Sequence, residues 1–200
     1  MKAKIIPAIS VRQQEIIDAA RKIISSTGIE NLTVREIAKE LKITDGALYR
    51  HFRSKKEIIS LLIDNIELTL LADIDKAAKK SSDPLQKLKE IFLSHLSYAE
   101  QRKGITFIII NETLSLNDKR LQEKMFNVIN RYLSTIEKIL LEGKALGKFR
   151  KELDIASASI AFFGMIQSMV TIWALSGFRY ALRKDRLEER LNIYKKGILG

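Results

Sequence analysis

The stretch from Thr33 to Glu57, TVREIAKELKITDGALYRHFRSKKE, constrains the fold of this chain more than any other. In its first part, apolar residues repeat at the i, i+3, i+4 and i+7 positions of one helix face: Val34, Ile37, Ala38 and Leu41. Thr33 and Glu36 form a capping-box pattern at the start of this helix. After a short turn, Thr44 is the predicted N-cap of a second helix that begins at Asp45. The stretch therefore predicts two short helices joined by a tight turn, followed by the start of a third.

The second short helix combines an apolar face with a cluster of cations. Ala47, Leu48 and Phe52 provide the apolar face. Five basic or titratable residues lie in the helix or just after it: Arg50, His51, Arg53, Lys55 and Lys56. A short helix held against another helix and surrounded by cations suits insertion into the DNA major groove. The pattern predicts a helix-turn-helix.

At these residues the chain resembles the DNA-binding segment of the tetracycline-repressor (TetR) family of bacterial transcriptional regulators. The matching stretches are LTVREIAKEL, the turn KIT, GALYRHF and the SKKE that follows. They cover roughly the first third of the chain, and the remainder is similar to the family in length and all-helical character. The resemblance implies an all-α fold in which residues 1–56 form a three-helix DNA-binding domain. Residues 57–200 would then form a larger helical domain for effector binding and dimerisation.

The resemblance also implies which residues contact DNA. Thr44, Asp45, Gly46 and Ala47 would face base edges, whereas Tyr49, His51 and Lys55 would contact phosphates. The alternative is that Tyr49 and His51 only pack the small domain. The full set predicted for the DNA interface is Thr33, Lys42, Thr44, Asp45, Gly46, Ala47, Tyr49, Arg50, His51 and Lys55.

Two residues in this set depart from the commonest family pattern. Lys42 stands in the turn where Gly is usual, and the left-handed conformation often needed there costs a Lys about 1 kcal/mol. A phosphate contact by Lys42 would compensate. Asp45 stands where a basic or neutral polar residue is more usual. Its carboxylate either accepts a hydrogen bond from a cytosine amino group or only complements the helix dipole, and both interpretations remain open.

Charge and composition narrow the possible functions. Residues 1–56 hold twelve Lys and Arg against six Asp and Glu, so they carry +6 of the net charge of +11. A basic segment binds polyanions because binding releases their counterions. The absence of Cys excludes disulfides and thiolate catalysis. The two His residues lie on separate segments and no Gly-rich phosphate loop occurs, so we predict no catalytic residues, no metal site and no cofactor.

Capping residues, glycines and prolines along the remaining chain predict where further helices begin and end. A helix from Ser10 to about Ser26 precedes the helix-turn-helix, and residues 1–9 form either a disordered arm or a basic contact to DNA. Ser54 and Glu57 open a long helix to about Lys80. The later predicted helices run from Pro84 to about Lys103, from Asn117 to about Leu146, over 155–177 and over 185–198, with a short apolar segment at 104–112. We predict no β-strand, because an isolated strand at ITFIII would leave its edges unpaired.

The uncharged run from Ile155 to Phe178 has two interpretations. Its length would allow it to span a membrane, but Ser, Thr and Gln residues interrupt it. A helix that is apolar on most faces must be covered on most faces, which core packing together with a subunit interface achieves. The resemblance implies the same, since the last two helices of the family usually pair with their copies in a four-helix bundle. The predicted dimer interface comprises Ser157, Ala161, Gly164, Ser168, Thr171 and Trp173.

Mostly apolar and aromatic residues of the larger domain, with one histidine, are candidates for the lining of an effector cavity. These are Phe92, His95, Leu96, Phe107, Tyr132, Phe162, Met165 and Met169. The alternative for each residue is a place in a filled core. Such a lining favours an apolar or aromatic effector with few polar anchors, of which His95 is the best candidate.

Together these patterns predict a cytoplasmic, ligand-responsive transcriptional regulator that is not an enzyme. It would be a homodimeric repressor on a two-fold-symmetric site in double-stranded DNA, released by a small and largely apolar effector, with no membrane partner. The alternative is a ligand-independent DNA-binding or architectural protein whose larger domain is filled. No secretory signal is expected, because Pro7 interrupts the short apolar run near the N-terminus.

Overall fold

The computed structural model describes residues 9–50, 52–183 and 186–199. Over these ranges the backbone is helical, and its β structure is one isolated antiparallel bridge between Phe149 and Leu199. Nine α-helices are described, with a short 3-10 helix at Ile29–Asn31. They are α1 Val11–Thr27, α2 Val34–Glu40, α3 Asp45–Tyr49, α4 Lys55–Ala78, α5 Pro84–Gln101, α6 Ile105–Ser115, α7 Lys119–Ala145, α8 Ile155–Leu175 and α9 Leu187–Ile198. The all-α prediction is confirmed, and the ITFIII segment is helical.

Side-chain caps define the starts of several helices as the sequence predicts. At α1, Ser10 Oγ accepts from the Gln13 N–H at 3.2 Å, and Gln13 Oε1 accepts from the Ser10 N–H at 2.9 Å. Thr33 and Thr44 cap α2 and α3. At α5, Asp83 accepts from the Leu85 N–H at 2.7 Å while Pro84 occupies the first turn. Each cap satisfies backbone donors that the first helical turn leaves without partners.

The chain divides into two compact units. The first contains the described residues of Met1–Thr69 together with Ile105–Phe126, and the second contains Leu70–Gly104 and the described residues of Asn127–Gly200. The division falls within α4 and within α7. The first unit therefore extends beyond the domain boundary that the sequence predicts between residues 56 and 57. It also includes residues 57–69 and 105–126.

The first unit buries the apolar faces of its short helices. Helix α1 packs on α2, α2 packs on α3, and α1 also contacts α6. Leu48 of α3 is fully buried, and Phe52 is buried directly after the helix. Burying one such side chain contributes roughly 1.5–3 kcal/mol, which holds α3 although five residues are too few for an independent helix.

The second unit is built around the packing of α5 on α8. Phe92 of α5 meets Phe162 of α8 edge to face, with ring centroids 6.3 Å apart. Helix α9 joins this core through Tyr194, whose hydroxyl donates to the Ala158 carbonyl at 3.0 Å. The Tyr194 ring also packs edge to face on Phe162 at 5.3 Å. Aromatic packing thus connects three helices of the unit.

Candidate functional site

Helix α3 presents most of the predicted base-reading residues at the surface. Thr44 and Gly46 are exposed, while Asp45 and Ala47 are partly exposed. The Thr44 hydroxyl accepts from the Ala47 N–H at 3.3 Å, so it caps the helix. An added Cβ at Gly46 would meet no atom within 4 Å, which leaves open space beside the helix start. This surface suits the close approach of base edges.

The turn before α3 contains the left-handed residue that the sequence predicts. Lys42 has a φ of 54°, and it is exposed. Its N–H donates to the Lys39 carbonyl at 3.1 Å, and the Ile43 N–H donates to the Ala38 carbonyl at 3.0 Å. These two bonds form a Schellman motif, in which Gly usually occupies the place of Lys42. The strained lysine is therefore held with its cation outside, where a phosphate can reach it.

The remaining predicted DNA contacts differ in their accessibility. Tyr49 and Arg50 are exposed at the end of α3, and Thr33 is exposed at the start of α2. His51 lies outside the described residues, as do residues 1–8 of the predicted arm. The structure thus brings the described members of the set to the helix-turn-helix, and their contacts with DNA stay predictions.

Lys55 is less available for a phosphate contact than its sequence position indicates, because it forms an ion pair within the protein. Its ammonium lies 2.9 Å from the Glu112 carboxylate of α6, and the two side chains are 26% and 13% exposed. The neighbouring Lys56 makes a second ion pair at 3.0 Å with Asp118. A phosphate must therefore compete with Glu112 for the Lys55 ammonium. Glu112 was missed because no local pattern links residues that lie 57 positions apart.

Sequence patterns also did not identify Arg35, a basic residue close to the start of α3. Arg35 of α2 directs Nε towards Asp45 Oδ2 at 3.4 Å. The Arg35 side chain is 80% exposed, so most of its guanidinium faces solvent. The sequence does show a basic residue close to the N-cap Thr33, which could have marked Arg35 as a candidate. It does not show that the turn between the helices brings Arg35 to Asp45.

The second unit contains a buried polar pair among the predicted cavity residues. His95 Nδ1 lies 3.2 Å from the Tyr132 hydroxyl, and both residues are buried. Burial lowers the pKa of His95 to about 4 and raises the pKa of Tyr132. Phe163 packs beside both rings. Both polar groups are therefore neutral near pH 7, and they offer hydrogen bonds without charge.

The other predicted cavity residues are distributed unevenly. Phe92, Leu96 and Phe162 are fully buried in the second unit, whereas Phe107 is half-buried in the first. Met165 lines two surface grooves between α8 and α9, of about 460 and 240 Å³, and Met169 lines the smaller one. The ring contacts agree with a packed core around His95, and its use by an effector stays a prediction.

The predicted dimer surface forms an exposed stripe on α8. Ser157, Ala161, Gly164 and Ser168 are all exposed, and Thr171 is half-buried. Large apolar residues are also exposed: Ile160, Ile172 and Leu175 on α8, and Ile193 on α9. Contiguous apolar exposure of this kind marks interaction surfaces.

Trp173 does not share the exposure of the other predicted interface residues. Its side chain is 5% exposed, its indole N–H donates to the Tyr180 carbonyl at 2.7 Å, and its ring packs on Phe178 at 4.7 Å. Its own chain already covers this side chain, which leaves little surface for a partner. The interface stays a prediction, and Trp173 is its one member whose side chain is buried within its own chain.

Helix α8 is the one described helix that is long and apolar enough to cross a membrane. Part of its apolar surface packs inside the second unit, where Phe162, Ile166 and Val170 are buried. Asp154 caps the helix by accepting from the Ser157 N–H at 2.7 Å. Helix α8 is thus only partly a core helix, because 33% of its apolar stretch is buried within the described structure.

Two family models match successive parts of the chain. The model of bacterial regulatory proteins of the tetR family matches residues 16–62, which include α2 and α3. The model of the C-terminal region of YsiA-like proteins matches residues 65–193. Together they cover both the helix-turn-helix and the larger helical part.

Relatives match over most of the chain. Nucleoid occlusion factor SlmA from Edwardsiella ictaluri is 31% identical over 173 residues, which are 84% of this chain and 86% of the relative. The fatty acid degradation regulator FadR from Bacillus halodurans superposes with a TM-score of 0.80 at 26% identity, covering 96% of this chain and 98% of that chain. FadR from Bacillus subtilis, solved with stearoyl-CoA, has a TM-score of 0.77 at 27% identity, covering 92% and 98%.

Proposed function

The chain belongs to the tetR family of bacterial regulatory proteins, and we propose that it acts as a homodimeric repressor released from DNA by a small, largely apolar effector. As a member of this family it is a ligand-responsive, DNA-binding transcriptional regulator. The proposal assigns it no catalytic reaction and a cytoplasmic location. The observation that carries the proposal is the exposed surface of α3, framed by the Thr44 cap and the left-handed Lys42 turn.

DNA binding in this proposal uses α3 for base edges and the surrounding cations for phosphates. Gly46 and Ala47 are small enough to let bases approach, while Lys42 and Arg50 are exposed beside them. Phosphate contacts position a protein on the duplex, and base contacts specify the sequence. A second copy of the same surface would read the other half of a two-fold-symmetric site.

Dimerisation in this proposal uses the exposed stripe of α8 together with the exposed Ile193 of α9. Gly164 lies in the middle of the stripe, and an added Cβ there would meet no atom of its own chain within 4 Å. Gly164→Leu should therefore leave the folded protomer intact while obstructing a close helix partner. Analytical ultracentrifugation would show a shift from dimer to monomer. A variant that still sediments as the wild type would contradict this interface.

Effector binding in this proposal uses the aromatic region around His95 and Tyr132. Because both polar groups are neutral near pH 7, they suit an uncharged polar group on an otherwise apolar ligand. The similarity to a FadR solved with stearoyl-CoA supports an apolar chain as the buried part of the ligand. The effector would favour a conformer that cannot engage both half-sites, and this requires only a difference in its affinity for the two conformers.

Titrating the DNA complex with long-chain acyl-CoA esters tests this proposal. The complex would be formed on a duplex from the region upstream of the protein's own gene and followed by fluorescence anisotropy. We expect release of the duplex, together with a higher melting temperature of the free protein, because a ligand of the native state stabilises it. Acetyl-CoA is the matched control, since it carries the same nucleotide without the apolar chain.

The relatives named SlmA favour one second candidate, a DNA-bound nucleoid occlusion factor that needs no small molecule. The packed rings around His95 are compatible with such a filled domain. The two functions differ in the ligand titration. DNA binding that survives the long-chain acyl-CoA esters, with no change in melting temperature, would contradict the effector-released repressor and support the second candidate.

A further inference from the structure

An ion pair between Arg35 and Asp45 lies at the surface of the helix-turn-helix. We propose that Arg35 is a positioning residue for sequence readout, because it holds the Asp45 carboxylate where it accepts a hydrogen bond from a cytosine amino group. The inference rests on the proposed DNA-binding function and specifies one base that the protein reads.

The geometry places both members of the pair where DNA would meet the protein. Arg35 is the second residue of α2, and Asp45 is the first residue of α3. The Nε of Arg35 lies 3.4 Å from Oδ2 of Asp45, and the two side chains are 80% and 46% exposed. Residues at the start of a recognition helix are those that reach base edges in the major groove. The carboxylate is therefore both accessible and directed by a neighbouring helix.

Capping of α3 does not occupy the Asp45 carboxylate. The Thr44 hydroxyl accepts from the Ala47 N–H at 3.3 Å and so fills the capping role. The hydrogen bond found for the Asp45 carboxylate within the described residues comes from Arg35 instead. A residue that served only the helix dipole would need no partner across the turn. The contact with Arg35 thus gives Asp45 a role beyond the helix dipole, and it fixes the direction of a carboxylate that remains accessible.

Electrostatics explain why a carboxylate here would need an arginine. An isolated carboxylate near DNA is repelled by phosphates, whereas the pair with Arg35 has no net charge. The planar guanidinium also offers several N–H donors, and the described contact with Asp45 uses only Nε. Arg35 engages Oδ2, and within the described residues no hydrogen bond to Oδ1 is found, so Oδ1 can accept from the N4 amino group of cytosine, which donates into the major groove. The open space at Gly46 allows the base to approach.

Selection from a duplex library with a randomised core tests this inference on the full-length protein. We expect the wild type to prefer a C·G pair at one position in each half-site. Asp45→Asn should change the preferred base at that position, because an amide pairs best with adenine. Arg35→Ala should lower the preference at the same position by roughly 5- to 150-fold, the range for one good base contact, and leave the other positions unchanged.

Two further variants separate positioning from charge alone. Lys39→Ala removes one cation from the same helix, where Lys39 lies 3.7 Å from Glu36 and not at Asp45. It should weaken binding equally for all sequences. Arg35→Lys keeps the charge without the planar fork, so we expect it to restore affinity and only part of the base preference. Melting temperatures would verify that each variant is folded.

Two results would overturn the inference while leaving DNA binding intact. One is an Arg35→Ala protein that loses affinity uniformly and keeps the wild-type base preference, as a phosphate contact would. The other is an Asp45→Asn protein with an unchanged preference at every position. A wild-type protein with no sequence preference at all would instead overturn the proposed function, and the inference with it.

Discussion

Replacing Glu112 with Gln should strengthen DNA binding and make it more sensitive to salt. In the wild type, the Lys55 ammonium lies 2.9 Å from the Glu112 carboxylate, and both side chains are largely shielded from solvent. A phosphate that contacts Lys55 must first replace this partner. Gln has nearly the same shape as Glu but no charge, so the variant should release Lys55 to DNA.

The size of the effect follows from the pair and from counterion release. A partly exposed ion pair contributes about 1 kcal/mol, so removing the competitor in two protomers should strengthen binding by about 2 kcal/mol, or about 30-fold. Each additional phosphate contact also steepens the dependence of log K on log salt by about 0.9. Two new contacts should therefore add about 1.8, which is roughly a further 12-fold loss of affinity between 0.05 and 0.2 M salt.

Fluorescence anisotropy with a labelled duplex, repeated at several salt concentrations, measures both quantities. Glu123→Gln is the matched control, because Glu123 is exposed on α7 in the same compact unit and the substitution changes the charge equally. Lys55→Ala in the wild-type background should change the salt slope little. Equal affinities and slopes for the Glu112 and Glu123 variants would refute the reasoning that Glu112 competes with DNA.

Three further predictions concern stability. Lys42→Gly should stabilise the protein by about 1 kcal/mol, because Gly adopts the φ of 54° without strain, and should weaken DNA binding; a lower melting temperature would contradict this. Gly143→Ala should lower the melting temperature, because the added Cβ would overlap the Phe149 ring. Overpacking costs about 1–3 kcal/mol, which should outweigh the gain of about 1 kcal/mol from the higher helix propensity of Ala. Burial lowers the pKa of His95 from 6.5 to about 4, so the unfolded state binds the proton more readily and stability should fall by about 3 kcal/mol as the pH decreases through this window. Urea unfolding of His95→Phe should lose that pH dependence, and an unchanged dependence would contradict the assignment.

Local patterns were sufficient to predict the helices and their starts. The hydroxyls of Ser10, Thr33 and Thr44 accept from their own helices, within three residues of the cap. Such bonds depend only on neighbouring residues, so the sequence contains them. Lys42 was predictable for the same reason, since the strain of a left-handed lysine depends on its own backbone conformation.

Contacts between distant residues could not be predicted in this way. Lys55 has the position of a phosphate ligand, but its partner Glu112 lies on another helix and follows no spacing rule. Trp173 lies on the same helix as the other predicted interface residues. The chain turns back after α8, however, and Phe178 packs on its ring. Both results depend on the tertiary path of the chain, which helical periodicity does not specify.

Competition binding to the region upstream of the protein's own gene tests the central claim most directly. The labelled upstream duplex would be displaced by unlabelled specific duplex or by scrambled duplex of the same base composition, at one fixed salt concentration. We expect the specific duplex to compete at least 10³-fold more effectively than the scrambled one, which is the lower range for sequence-specific regulators. Equal competition by the two duplexes would contradict the account, because the surface of α3 would then bind DNA without reading it.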